Sequence, residues 1–106
     1  MQSVNMLAAD WPVSHYVNIL RHYKAQLSAR FHLASLGVFG SFVRNEQREG
    51  SDLDLLVTFT RTPSLFTLVE LQDELSALLG VSVDLVVKDD LKRRVGQRIL
   101  AEVIEL

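Results

Sequence analysis

The chain of 106 residues contains no cysteine, which excludes disulfide bonds, thiolate zinc sites and cysteine nucleophiles. No apolar run approaches the roughly 18–20 residues of a membrane helix, so no membrane association is expected. Neither sign of charge dominates, since the net charge is −2; we therefore expect no strong direct binding of nucleic acid, although a local basic patch remains open. Residues 1–11 lack the basic and continuous apolar segments of a signal peptide. These absences predict a cytoplasmic protein.

The remaining composition is that of an ordinary soluble globular protein. Hydrophobic residues make up 48% of the chain and charged residues 23%. The length is sufficient for one hydrophobic core, and no repeat, low-complexity tract or linker divides the sequence. We therefore expect a single domain over residues 1–106, with 1–12 forming an irregular N-terminal segment.

Hydrophobic periodicity predicts the order α-β-β-α-β-α. The predicted elements are a helix over about 15–30, strands over 33–39 and 52–59, a helix opened by Thr62-Pro63 and ended by Gly80, a strand over 81–87 and a last helix. We expect Ser14 to cap the first helix and Pro63 to occupy the first position of the second. Asp89 or Asp90 is expected to cap the third. This order predicts an α+β fold, a small mixed β-sheet with helices packed mainly on one face.

The most informative segment is residues 40–54, where Gly40-Ser41 is followed ten residues later by Asp52-Leu53-Asp54. Side chains at i and i+2 of a strand point to the same face, so Asp52 and Asp54 are expected to project together. Paired carboxylates favour a cation between them, and Mg²⁺ takes oxygen ligands and often carries phosphates. A Gly-Ser turn can bring backbone N–H groups and a hydroxyl close to such a phosphate.

A third carboxylate, Asp84, interrupts the apolar strand Val83–Val87. A lone buried carboxylate is costly, so its presence calls for a reason. If the third strand lies beside the second, Asp84 can face the same side as Asp52 and Asp54. Three carboxylates suit two divalent cations about 3.5–4 Å apart, which orient a phosphate, and one of them could accept a proton from an attacking hydroxyl. The three residues together predict metal-dependent transfer onto or from a phosphate.

Each of these features also has a purely structural interpretation. Asp-x-Asp occurs by chance where strands begin, and Gly-Ser pairs mark many turns. An edge strand tolerates an outward carboxylate such as Asp84. The basic residues of segment 92–98 could contact a triphosphate or a partner, or could form a solvated helix face. Only the joint spacing of the turn and the three aspartates favours a functional site.

The motif Gly40-Ser41, ten residues, Asp52-x-Asp54 and an aspartate on a later strand resembles the signature of the DNA polymerase β-like nucleotidyltransferase superfamily. The short chain is similar to its minimal, MNT-type members, over a stretch from about Leu33 to the C-terminus. The resemblance implies a nucleotidyltransferase-like, palm-type fold. It also implies that Asp52, Asp54 and Asp84 are the catalytic carboxylates and bind the metal, two Mg²⁺ ions in the family.

By the same resemblance, Gly40 and Ser41 hold the nucleotide triphosphate, and Arg44 is retained as a further contact to a phosphate. The family often has Gly-Ser-x-Ala-Arg-Gly, whereas this chain has Val43 and Asn45 at the fourth and sixth positions. Asparagine tolerates the left-handed backbone conformation better than other non-glycine residues. We therefore expect the turn to keep its shape.

The implied activity is transfer of AMP from ATP to a hydroxyl, with release of pyrophosphate. MNT-type proteins are commonly paired with a HEPN-domain ribonuclease toxin in prokaryotes and act as its antitoxin by modifying a tyrosine of the toxin. Two alternatives stay open. The chain could be a non-catalytic module that neutralises its partner by occlusion, or a nucleotidyltransferase that acts on a small molecule or an RNA end.

Overall fold

The computed structural model describes residues 6–106, over which three helices and four strands are formed. They are α1 (Val13–Phe31), β1 (Leu33–Phe39), β2 (Leu53–Phe59), α2 (Leu65–Leu79), β3 (Val83–Val87), α3 (Arg93–Glu102) and β4 (Ile104–Glu105), with single 3₁₀ turns at Ala8–Asp10 and Lys88–Asp90. Of the segment expected to be irregular, residues 1–5 lie outside the described residues, and the first 3₁₀ turn falls in the rest. Among the described residues, no helix combines the length and apolar character needed to cross a bilayer.

The four strands form one mixed sheet in the order β3-β2-β1-β4. β1 is antiparallel to both β2 and β4, whereas β3 is parallel to β2 across the α2 connection. The mixed α+β architecture expected from the sequence is confirmed. The short β4 was not predicted, because two residues carry no alternating pattern. Its approach depends on Gly37, where a Cβ atom would lie 2.6 Å from Cγ2 of Val103 and 3.2 Å from the carbonyl oxygen of Ile104.

The sheet separates a large core from a small one. The large core packs α1 and α2 against one face, to which β2 contributes Leu53, Leu55 and Val57. The small core lies on the other face, where Phe39 and Leu56 meet Ile99 of α3. Two of the three helices therefore share one face, as expected. Because side chains alternate along a strand, Asp54 lies on the same face as Leu56, the face that α3 covers.

Two of the predicted helix caps are wrong. Ser14 lies inside the first turn of α1, and Pro12, whose φ of −68° suits a helix boundary, is the N-cap residue. Neither Asp89 nor Asp90 caps α3, because both belong to the preceding 3₁₀ turn and Lys92 takes the cap position. Pro12 thus takes the cap position before α1, and the 3₁₀ turn takes up both aspartates before α3.

The second helix begins two residues later than predicted. Pro63 precedes it, and Ser64 is its N-cap, with a side-chain oxygen that accepts a hydrogen bond from the N–H of Thr67 at 3.1 Å. This bond satisfies one of the unpaired donors of the first turn, which explains why the helix begins there. Gly80 ends the helix in a left-handed conformation with φ of 68°, which confirms the predicted stop.

Side chains of α2 bind the outer edge of β3. The N–H of Val83 donates to Oγ of Ser76 at 3.1 Å, and the N–H of Leu85 donates to Oε1 of Gln72 at 3.1 Å. These bonds satisfy donors that an edge strand leaves unpaired. They also fix the strand on both sides of Asp84, so the position of that carboxylate along the sheet is set by α2.

Candidate active site

Asp54 and Asp84 lie directly opposite each other on neighbouring strands. The parallel register of β2 and β3 pairs these two residues, and the antiparallel register of β1 and β2 places Phe39 opposite Asp54 on the other side. Asp54 is half-buried, whereas Asp84 is exposed. Asp52 is exposed and stands just before the start of β2. The structure thus pairs Asp54 with Asp84 across the two strands. Asp52 lies two positions before Asp54 in the chain.

Gly40 brings the backbone against Asp54. It follows the last residue of β1 with φ of +86°, and a Cβ atom there would lie 2.0 Å from Oδ2 of Asp54. No other residue type can take this place without displacing the carboxylate, because both the left-handed backbone and the missing side chain are needed. The structure thus shows a close approach of this backbone to Asp54, whereas the expected contact of the turn with a phosphate stays a prediction.

The rest of the turn is compact and anchored in the core. Carbonyl oxygens of Gly40 and Ser41 accept hydrogen bonds from the N–H groups of Arg44 (3.2 Å) and Glu46 (2.9 Å). Asn45 has φ of 57°, which confirms the left-handed conformation expected at that position. Phe42 is buried in the large core. The turn therefore holds Ser41, which is half-buried, and Arg44 at one end of the sheet.

The electrostatics of the site centre on Asp54. Burial raises the pKa of its carboxyl from 3.8 to about 6, and the negative charges of Asp84 and Asp52 act in the same direction. The positive charge of Arg44 opposes this rise in pKa. The ionised carboxylate is thus costly in the folded chain, and a bound cation would remove that cost.

The three aspartates offer the oxygen donors that a hard divalent cation prefers. In residues 6–106 no three acidic or histidine side chains stand close enough together, as they are, to hold a metal ion. The register pair Asp54–Asp84 fits a site that a cation would stabilise, and so does the pKa of Asp54, which burial raises first and the charges of Asp84 and Asp52 raise further.

An unpredicted residue, Glu102, completes the site. Nη1 of Arg44 donates to both carboxylate oxygens of Glu102, at 3.0 Å and 2.9 Å, and Nε donates to Glu46 at 3.1 Å. Glu102 Oε1 also accepts a hydrogen bond from the N–H of Gly40 at 3.0 Å. No local pattern could have indicated Glu102, because 58 positions separate it from Arg44 in the chain.

Part of this site borders an open cavity of about 390 Å³, whose lining does not include Asp52, Asp84 or Ser41. Residues Phe39, Gly40, Arg44 and Asp54 form one side, and α3 contributes Val95, Arg98, Ile99 and Glu102. Arg98 therefore reaches the site, as one interpretation of the basic segment allowed. Lys92, Arg93 and Arg94 are exposed and do not line this cavity.

Comparison with known proteins identifies the family of this chain. The family model described as a nucleotidyltransferase domain matches residues 20–105. The chain is 47% identical over 87 residues to the protein adenylyltransferase MntA of Thermococcus cleftensis, covering 82% of this chain and 88% of that protein. A solved structure assigned as a minimal nucleotidyltransferase superposes with a TM-score of 0.75 at 36% identity, over 98% of this chain and 100% of the other.

A more distant structure shares the fold. It is an MNT antitoxin bound to a tri-AMPylated HEPN toxin of Shewanella oneidensis, with a TM-score of 0.62 at 20% identity over 86% of this chain and 70% of that one.

The matched family model covers both the turn after β1 and the strands that carry Asp54 and Asp84. The chain therefore belongs to the nucleotidyltransferase domain family and is one of its minimal, MNT-type enzymes.

Proposed function

We propose that this protein transfers AMP from ATP, in a metal-dependent reaction, to a hydroxyl of a partner protein and thereby acts as an antitoxin. The observation that carries the proposal is the register pair Asp54–Asp84 beneath the Gly40 turn. The relative from Thermococcus cleftensis, 47% identical, is a protein adenylyltransferase, which supports AMP as the transferred group and a protein as the acceptor.

In this proposal Asp52, Asp54 and Asp84 hold Mg²⁺. When bound, the metal supplies positive charge to the triphosphate and to the oxygens that gain negative charge during transfer. Carboxylate oxygens are the ligands that Mg²⁺ prefers. Three such side chains are compatible with two ions. Neutralisation of Asp54 would also remove the cost that raises its pKa to about 6.

The turn after β1 would hold the triphosphate. The N–H of Gly40 and the guanidinium of Arg44 already bind an anionic group, the carboxylate of Glu102. A phosphate offers charge of the same sign and similar oxygens to these donors. Ser41, the next residue of the turn, adds a hydroxyl that can donate to a phosphate oxygen.

Asp84 is suited to accept the proton of the acceptor hydroxyl, because it is exposed and stands opposite Asp54. The acceptor oxygen attacks the α-phosphorus, the bond from that phosphorus to the bridging oxygen breaks, and pyrophosphate leaves. A tyrosine is a favourable acceptor, since its phenol, with a pKa near 10, loses its proton more easily than an aliphatic hydroxyl.

We propose a HEPN-domain toxin as the partner. The Shewanella oneidensis complex pairs an MNT antitoxin of the same fold with a HEPN toxin that carries three AMP groups. Exposed Asp84 and the open cavity leave the site accessible to a side chain of a second protein. The complex in which AMP is transferred would thus form at this end of the sheet.

Intact-mass spectrometry of the HEPN-type partner tests the proposal. The partner is incubated with this chain, ATP and Mg²⁺, beside the double variant Asp52→Asn, Asp54→Asn and the control Asp73→Asn, which alters an exposed residue of α2. We expect a gain of one or more AMP masses with the parent chain and the control, and none with the double variant or with EDTA. Replacing the modified tyrosine of the partner by phenylalanine should abolish the gain.

Three other outcomes would favour a different function for this protein. A stable complex without any mass gain would support neutralisation by occlusion. If the double variant still neutralises the partner fully, catalysis is not needed for the antitoxin role. Transfer of AMP to a small molecule or an RNA end, with the partner unmodified, would support the third interpretation.

A further inference from the structure

The carboxylate of Glu102 occupies the donors that a nucleotide needs. Its Oε1 accepts from the N–H of Gly40 at 3.0 Å, and both of its oxygens accept from Nη1 of Arg44, at 3.0 Å and 2.9 Å. A carboxylate held by a turn N–H and a guanidinium has the charge and the oxygen geometry of a phosphate on the same donors. The side chain thus stands as an anion inside the proposed triphosphate site.

We propose that Glu102 is an internal competitor of the triphosphate, so that nucleotide binds only by exchanging a phosphate oxygen for this carboxylate. The inference rests on the function proposed above, and adds to it a residue that sets nucleotide affinity. In this arrangement Glu102 occupies the N–H of Gly40 and the guanidinium of Arg44 until a phosphate displaces it.

The contacts around Glu102 allow such an exchange. Its side chain is 23% exposed and that of Arg44 is 46% exposed, so the ion pair is partly solvated and therefore weak. Arg44 keeps its second partner, Glu46, when Glu102 leaves. The guanidinium can thus remain directed toward the site as a phosphate replaces the carboxylate.

The backbone beside Glu102 is held, so the exchange is a side-chain movement. β4 pairs with Gly37 and Val38 directly after α3, and the N–H of Leu106 donates to the carbonyl oxygen of Leu36 at 3.0 Å. The close approach at Gly37 fits this segment tightly against β1. Glu102, as the last residue of α3, can rotate away from the turn without detaching the strand that follows.

Charge decides which ligands succeed in the exchange. A triphosphate with Mg²⁺ gains contacts to the aspartates and to the turn together, whereas inorganic phosphate gains only the turn. Every anion that must displace Glu102 loses the same factor in affinity, so we expect Glu102 to lower the affinity for inorganic phosphate and for the magnesium complex of a nucleotide equally. The triphosphate complex, which makes more contacts, would keep a useful affinity after that loss, whereas inorganic phosphate would bind weakly.

Titration calorimetry with AMP-PNP and Mg²⁺, which measures binding without any transfer, tests the inference. The variant Glu102→Gln keeps the shape and removes the charge, and we expect its affinity to rise roughly fivefold, the size typical of losing one partly exposed, hydrogen-bonded charge. Glu102→Ala should give a rise at least as large. The matched control Glu105→Gln alters an exposed residue of β4 and should leave the affinity unchanged.

A second measurement keeps the result interpretable if a variant is unstable. In ¹⁵N-labelled protein, the Gly40 amide resonance of Glu102→Gln should differ from that of the parent chain. In the parent chain, the same resonance should shift when AMP-PNP and Mg²⁺ are added. Inorganic phosphate should perturb this amide in the variant at lower concentration than in the parent. Circular dichroism establishes that each variant is folded before these comparisons.

Equal or weaker binding by folded Glu102→Gln would overturn the inference and would make the residue a positioning group for Arg44. Absence of binding in both proteins would overturn it as well. The proposed function can fail separately from this inference. If the variant binds AMP-PNP more tightly but the parent chain transfers no AMP to the partner, only the proposed transfer is refuted.

Discussion

Replacement of Asp54 by asparagine should stabilise the fold at neutral pH. The carboxyl is half-buried, and its burial with two nearby aspartates raises its pKa from 3.8 to about 6. The charged form is therefore disfavoured in the folded chain relative to the unfolded one. An asparagine side chain would keep the size and the polar atoms under the Gly40 turn while removing the charge, so Asp54→Asn isolates the electrostatic cost.

The magnitude follows from the pKa rise. A change from 3.8 to about 6 corresponds to ~3 kcal/mol at about 1.4 kcal/mol per pKa unit. Solvent that still reaches the carboxylate screens the charges, so we expect about 1–2 kcal/mol to be realised. For a domain of this length that gain raises the melting temperature by about 5–10 °C.

The sign of the pH dependence is fixed by the same shift. Below pH 3.8 the carboxyl is mostly protonated in both states, so Asp54→Asn and the parent should approach equal stability. As the pH rises from about 4 to 6, the unfolded parent loses the proton first, and the stability of the parent falls relative to the variant. The advantage of the variant should be complete above about pH 7.

Urea unfolding in EDTA at about pH 7.5 and about pH 4, followed by circular dichroism, measures the difference. The control Asp73→Asn removes an exposed charge of α2 and should stay within about 0.5 kcal/mol of the parent at both pH values. A variant that is no more stable than the parent at the higher pH would refute the reasoning. An equal gain at both pH values would show that lost charge is not the cause.

Three further expectations concern the same site. Gly40→Ala should destabilise the fold by about 3 kcal/mol and abolish AMP transfer, whereas Gly50→Ala, with the same left-handed backbone (φ of +87°) but nothing within 4 Å, should cost only ~1 kcal/mol in urea unfolding. Gln72→Ala leaves the N–H of Leu85 without its acceptor and should cost about 1–2 kcal/mol and lower the affinity for Mg²⁺. Calorimetry should show Mg²⁺ affinity falling as the pH drops through about 6, because Asp54 must lose its proton before it binds a cation; a pH-independent affinity would contradict this.

The central part of the site could be predicted because its residues are placed by local sequence patterns and by the order of the strands. The i, i+2 spacing of Asp52 and Asp54 predicts that they share one face of a strand. The position of Gly40 at the end of the predicted first strand indicates a turn there. The pairing of Asp54 with Asp84 needs only that β3 lies parallel beside β2, as a strand-helix-strand unit favours. The family resemblance then gave these residues roles, and the matched family model confirmed the family.

Other features depend on contacts that no short pattern encodes. The Arg44–Glu102 pair spans 58 positions, and either residue alone resembles an ordinary surface charge. β4 forms only because Gly37 admits Val103 at close range. The wrong caps have a related cause, since Pro12 and the 3₁₀ turn before α3 each override a residue with a better intrinsic capping preference.

The site conflicts with the stability of the fold, and this conflict is informative. A half-buried carboxylate is placed opposite another, under a turn that only glycine can form, at a cost that asparagine would remove. Packing gives no reason for this arrangement, because Leu56, two residues along the same face, shows that the face accepts apolar side chains. A cation bound by the carboxylates would remove this cost, because it favours the charged form of Asp54. Glu102 gives Gly40 and Arg44 an anionic partner before nucleotide binds. Its negative charge pairs with Arg44, whose positive charge lowers the pKa of Asp54, so Glu102 does not remove the cost at Asp54 and a cation is still needed there.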